Sequence, residues 1–120
     1  MYSVCITAPH SIPLEYIHVL TCPPHLSTTP PVQALSRALS LGVRVLELDC
    51  YDGKKDKATG KHGEPIVYHG GTATKPVSFR DCIEAIGRDA HVSSQYPVIV
   101  TMENHCSIEG QVVQVCVNRL

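Results

Sequence analysis

The chain has 120 residues, 43% of them hydrophobic and 18% charged, which suits a globular domain or a piece of a larger one and excludes a disordered chain. Ten Lys and Arg against eleven Asp and Glu leave a formal net charge of -1, so no global basic surface exists to grip nucleic acid. No apolar run approaches the roughly 20 residues that cross a bilayer, and the first residues lack the basic-then-apolar layout of a signal peptide.

Residues 1–31 hold six prolines, three histidines and two cysteines without a sustained period. Pro23-Pro24 and Pro30-Pro31 block regular structure there, and Val4-Cys5-Ile6 is the one short strand expected. Residues 1–25 therefore read as an irregular N-terminal segment. Pro31 suits the first turn of a helix carrying Val32, Leu35, Leu39 and Leu41, with Gly42 as its stop. Val43 to Asp49 is an apolar, β-branched run of strand length, followed by a polar loop from Asp52 to Glu64. Ile66-Val67-Tyr68 is a second strand closed by Gly70-Gly71. Phe79, Cys82, Ile83, Ile86 and Ala90 mark a second helix, Pro97 to Met102 a third strand, and Val112, Val113, Val115 and Cys116 the start of a third helix.

This alternation, with nearly continuous apolar strands, predicts an α/β fold with a parallel sheet under covering helices. A closed barrel needs eight strands and a doubly wound sheet usually about five. The expectation is a small α/β layer or part of something larger, and the helical pattern running uncapped into Leu120 favours the larger fold. None of the six cysteines falls in a CxxC pair. Cys50, Cys82 and Cys116 sit in apolar-periodic stretches, as reduced thiols acting as small hydrophobes do. No Asn-x-Ser/Thr sequon is present. Together these features predict reduced thiols and a cytoplasmic setting.

Acids at strand ends carry the chemistry. Glu47 and Asp49 lie two apart on one strand, so both point to the same face. Paired carboxylates in an apolar strand repel unless a cation lies between them, and oxygen ligands suit Ca²⁺ or Mg²⁺. The competing reading is a solvated strand end, or pairing with Arg44 or Arg80. Glu103 ends the third strand and can complete a metal site, or else cap the helix that follows. His69 ends the second strand, where it serves as a catalytic group or as a surface turn. A histidine beside carboxylates and metal suggests phosphate ester chemistry. Gly60-Lys61 lacks P-loop spacing, and Asp49, Asp52 and Asp56 lack EF-hand spacing. Lys54, Lys55, Lys57 and Lys61 form a basic loop that reads first as a solubilising turn and second as a phospholipid contact.

Three blocks, Val43 to Gly53, Glu64 to Gly70 and Tyr96 to Ser107, closely resemble in order and spacing the X region of eukaryotic phosphoinositide-specific phospholipase C. The likeness covers residues 26–120, a partial X domain. It implies an incomplete TIM-like (β/α) barrel with parallel strands and covering helices. It also implies Ca²⁺ as cofactor and phosphatidylinositol 4,5-bisphosphate as substrate, at the inner membrane surface. In the family the inositol 2-hydroxyl attacks the phosphodiester, releasing diacylglycerol and an inositol phosphate. By matching position, Glu47, Asp49 and Glu103 are the implied Ca²⁺ ligands and His69 the catalytic histidine. The family carries a further catalytic histidine in an S-x-H-N-[ST]-Y segment. Ile6-Thr7-Ala8-Pro9-His10-Ser11 is the nearest counterpart, with His10 as the histidine and Ser11 in place of the asparagine. The later phosphate-holding residues and the Y half of the barrel lie outside these 120 residues. The alternatives are a glycerophosphodiester phosphodiesterase, which shares an E-x-D strand, and a truncated non-catalytic module.

Overall fold

A computed structural model describes residues 31–68 and 75–117. The irregular segment 1–25, the Val4–Ile6 strand, His10 and His69 lie outside the described residues.

Helix α1 spans Pro31–Ser40. Leu35, Ala38 and Leu39 recur at the spacing of one helical face and are buried. Gly42, at φ 94°, takes the left-handed turn that ends the helix. Leu41, expected on the inner face, lies beyond the last helical residue and is 63% exposed. Strand β1, Val45–Tyr51, begins and ends two residues later than the sequence suggests. Its Leu46, Leu48 and Cys50 are at most 1% exposed and form the floor of the core.

Strands β2 (Ile66–Val67) and β3 (Val77–Ser78) are two residues each, and β3 was not legible in the pattern. Helix α2, Phe79–Asp89, starts where the Ser78 hydroxyl accepts from the Asp81 amide. Phe79, Cys82 and Ala85 bury its inner face, and Ile83 and Ile86 pack at the margin of the core. Strand β4 is Ile99–Asn104 and helix α3 Ile108–Val117, the latter starting four residues before the apolar cluster that predicted it.

The sheet order is β3-β2-β1-β4. β1 and β4 are parallel, as expected for strands joined through a helix. β2 runs antiparallel to both β1 and β3, so the sheet is mixed rather than wholly parallel. The cause lies in the connection. A strand returning after a hairpin-like loop, without a crossover helix, must reverse direction. The result is an α/β fragment of the kind an incomplete barrel presents.

Arg44, just before β1, is buried and donates from Nη1 to the Ala90 and Tyr96 carbonyls and from Nη2 to the Leu39 carbonyl. One guanidinium thus ties the C-terminal ends of α1 and α2 to the turn before β4. Arg80 pairs with Glu64 at 2.7 Å. Neither arginine is spent on the strand-end acids.

Candidate active site

β1 divides its labour by alternation. Leu46, Leu48 and Cys50 point under the helices, which turns Glu47, Asp49 and Tyr51 to the opposite face. The parallel register with β4 sets Glu47 beside Thr101 and Asp49 beside Glu103. Register partners on parallel strands share a face, about 4.8 Å apart. Glu47, Asp49 and Glu103 therefore stand on one face near the C-terminal ends of the strands, the edge where parallel α/β folds build their sites. Asp49 is only 5% exposed, whereas the Glu103 side chain is 40% exposed.

Glu103 does not cap the following helix. Ser107 does: its hydroxyl accepts from the Gly110 amide at 3.2 Å. Asp52, beyond β1, accepts from the Ser107 amide and hydroxyl, each at 3.0 Å, and so locks the loop after β4 to the loop after β1. Asn104 is held by two bonds. It donates to Gln114 Oε1 at 2.8 Å and accepts from the Cys106 amide at 3.1 Å. These bonds fix the backbone that follows Glu103.

One group beside the acids was not singled out by sequence reasoning. His105 Nε2 lies 3.5 Å from Glu103 Oε2. Its ring stacks on Tyr51 at 4.6 Å and 14°, and Tyr51 tilts against Tyr68 at 4.4 Å and 39°. Burial, then the neighbouring Asp49 charge, then Tyr68 hold the Tyr51 hydroxyl above its ordinary pKa. The signal lay in Tyr51, Tyr68 and His105 each standing at or one residue past a strand's end, but only register reveals that they meet.

As a cation site, the acids offer the right donor chemistry, oxygen atoms alone on one rigid face. Among the described residues, however, no three His, Cys, Asp or Glu side chains converge closely enough to hold a metal. Glu47 stands one pleat repeat away from Asp49, about 6.6 Å along the strand. The described residues thus set Asp49 and Glu103 side by side in register, with Glu47 flanking them on the same face.

A mixed α/β sheet with acids gathered at the ends of its parallel strands is the layout of an incomplete (β/α) barrel. Comparison with known proteins names the family. Residues 21–118 match the phosphatidylinositol-specific phospholipase C X domain, and the chain belongs to that family. It is 49% identical over 77 residues to the zebrafish (Danio rerio) 1-phosphatidylinositol 4,5-bisphosphate phosphodiesterase delta-3-A, covering 64% of this chain and 9% of that protein. It is 43% identical over 79 residues to the human (Homo sapiens) gamma-2 enzyme of the same name, covering 66% of this chain and 6% of that protein. The crystal structure of PLC21 from L. pealei superposes with a TM-score of 0.65 at 41% identity, over 73% of this chain and 10% of that one. The chain therefore spans about a tenth or less of the length of these relatives.

Proposed function

We propose that this chain contributes the acidic part of the active site of a Ca²⁺-dependent phosphoinositide phospholipase C. That enzyme hydrolyses phosphatidylinositol 4,5-bisphosphate to diacylglycerol and inositol trisphosphate at the inner membrane surface, in lipid signalling. The observation that carries the reading is the register of Asp49 against Glu103, with Glu47 on the same face. Three carboxylates on an otherwise well-packed sheet are costly unless a cation is drawn there. Glu47, Asp49 and Glu103 would hold Ca²⁺, with further donors from outside the described residues. The bound ion would neutralise phosphoryl oxygens and ease ionisation of the attacking hydroxyl. One of the acids would accept the proton of the inositol 2-hydroxyl, and His69 would stabilise the charge building on the phosphorus oxygens. His10 is proposed as the second histidine on position alone. Family membership favours this reading over a glycerophosphodiester phosphodiesterase.

The rest of the barrel has a place to pack. β4 is an edge strand among the described residues, and Ile99 and Met102 on it are exposed. Ile108, Val112 and Val115 of α3 are 79%, 59% and 55% exposed, an apolar surface suited to burial against the Y half. No described helix is long and apolar enough to cross a membrane, so contact with lipid would be made from the surface.

The test joins binding to turnover. Ca²⁺ should raise the thermal unfolding midpoint of this chain, since an ion held only by the folded state stabilises it. Glu103→Gln should remove that rise. The chain alone should hydrolyse phosphatidylinositol bisphosphate vesicles poorly. A Ca²⁺ response unchanged in Glu103→Gln would overturn the ligand assignment, and ready hydrolysis by the chain alone would overturn the half-site reading. Among the described residues no three ligands converge, which favours a second reading, a non-catalytic module. Its signature would be no Ca²⁺ response at all.

A further inference from the structure

The polar stretch after β1 is an ordered hairpin. Lys55 and His62 form an antiparallel bridge, the Gly63 amide donates to the Lys54 carbonyl at 3.1 Å, and the Asp56 amide donates to the Lys61 carbonyl at 2.8 Å. At the tip, Asp56 Oδ1 accepts from the Ala58 amide at 2.8 Å, the Thr59 amide at 2.7 Å and the Thr59 hydroxyl at 3.0 Å. Gly60, at φ 69°, closes the turn. The base is fixed as firmly: His62 Nδ1 lies 3.2 Å from the Gly53 carbonyl, and a Cβ on Gly53 would sit 2.1 Å from the Glu64 carbonyl oxygen. Such order is more than a merely solubilising loop requires.

Lys54, Lys55, Lys57 and Lys61 are all exposed on this hairpin, and among the described residues none forms an ion pair. They surround an open concavity that His62 also lines. Asp56 is the one acid between Lys54 and Lys61, and its carboxylate is folded back onto the tip amides. A chain with net charge -1 thus concentrates a local positive excess on one projection. That projection leaves β1 after Tyr51, two residues beyond Asp49, at the strand edge where the acids gather.

We propose that the Lys54–Lys61 hairpin docks onto the anionic surface of a phospholipid bilayer. Lysine ammoniums are compact point charges that suit a diffuse surface potential, whereas fork recognition of individual phosphates favours arginine, which the hairpin lacks. Single-stranded nucleic acid would call for aromatic stacking, and no Phe, Tyr or Trp lies between Lys54 and Gly63. The choice of a lipid bilayer over other polyanions rests on the phosphodiesterase reading above. The charge distribution itself does not.

The experiment is co-sedimentation of the 120-residue chain with phosphatidylcholine vesicles containing or lacking phosphatidylserine. Binding is expected with phosphatidylserine alone, and it should weaken as salt rises. Each lysine should be worth about fivefold in partitioning, so K54Q/K55Q/K57Q/K61Q should lose on the order of several hundredfold. The four-arginine variant should retain binding, and far-UV circular dichroism reads whether each variant is folded. If the glutamine variant is unfolded, K54Q/K55Q and K57Q/K61Q are compared separately, each expected to lose about 25-fold. Equal binding to neutral vesicles, unchanged binding of the folded glutamine variants, or tighter binding to an RNA oligonucleotide than to phosphatidylserine vesicles would overturn the proposal. Phosphatidylserine carries no inositol. A Ca²⁺ response absent from the chain while vesicle binding stays intact would therefore sink the enzymatic reading and leave the docking surface standing.

Discussion

Replacing Arg44 with methionine removes the tie between α1, α2 and the turn before β4. Arg44 is 8% exposed, and its guanidinium serves the carbonyls of Leu39, Ala90 and Tyr96. Hydrogen bonds to a charged group contribute about 1.5–3 kcal/mol each. Leu39 keeps partners after the change, because its carbonyl also accepts from the Gly42 amide at 3.0 Å and the Ser93 hydroxyl at 2.6 Å. Ala90 and Tyr96 lose theirs, a gross cost of about 3–6 kcal/mol. Against that, the variant no longer desolvates a guanidinium, which costs several kcal/mol per buried ion. Nε of Arg44 also finds no acceptor among the described residues, which raises the cost of its burial. The net loss expected for Arg44→Met is about 2 kcal/mol, with methionine filling most of the volume. Arg44→Lys should be worse, about 3 kcal/mol, because a buried charge remains while one ammonium cannot span carbonyls from three segments. Urea unfolding followed by far-UV circular dichroism would read these losses as midpoint shifts on the order of 1 M. A lysine variant as stable as the native chain would refute the reasoning, since charge alone would then suffice.

Gly110→Ala should lose about 2 kcal/mol, because its Cβ would lie 2.3 Å from Asp52 Oδ1 and 3.0 Å from Cys106 Cβ and would push Asp52 off Ser107. In an Asp52→Ala background the same change should cost much less, and additive unfolding energies would contradict the clash. Of the four described free thiols, Cys116 is exposed and should react first with a disulfide reagent near neutral pH. Burial pushes Cys50 and Cys82 up to about 12, so both should stay protonated and unlabelled until denaturant is added; rapid native labelling of either would contradict that burial. Hydrogen bonds from Thr59 and Ala58 hold the Asp56 carboxyl below its ordinary value of 3.8. A depressed folded pKa contributes order above the unfolded value that is lost as pH falls through the folded one. Carboxyl titration by NMR should place Asp56 below 3.8, and exchange at the Ala58 and Thr59 amides should quicken as it protonates.

The elements legible in the sequence were those with burial on one side and a marked end. Leu35, Leu39 and Gly42 announced α1, and Phe79, Cys82 and Ile86 announced α2. The reversal of β2 was hidden because two residues carry no period, and direction depends on whether the chain crosses over or turns back. α3 was read late because Ile108 and Glu109 are exposed and its start is marked by Ser107 and Asp52, partners 55 residues apart in sequence. Spacing alone placed Glu47 and Asp49 on one face, and strand-end position drew Glu103 toward them. The His105–Tyr51–Tyr68 stack needed three-dimensional register, since 37 residues separate Tyr68 from His105. The hairpin was legible as charge and hidden as structure: its order comes from backbone bonds that lysine and threonine do not advertise.

The placement of the acids is hard to explain by folding alone. Leu46, Leu48 and Cys50 already give β1 a fully buried face, so the core gains nothing from carboxylates on the other. Asp49 beside Glu103 sets like charges on directly paired positions of strands whose backbones run about 4.8 Å apart, an arrangement that weakens a sheet. Thr101, beside Glu47 in the same ladder, is the residue a strand would ordinarily favour at these positions, being β-branched and neutral. His105 eases the strain at Glu103 only when protonated, and its 3.5 Å approach is longer than a good hydrogen bond. Meanwhile Asp52, Ser107 and Asn104 rigidly fix the backbone that follows the acid the sheet least needs. Local cost held in place by surrounding order is the pattern of a functional site.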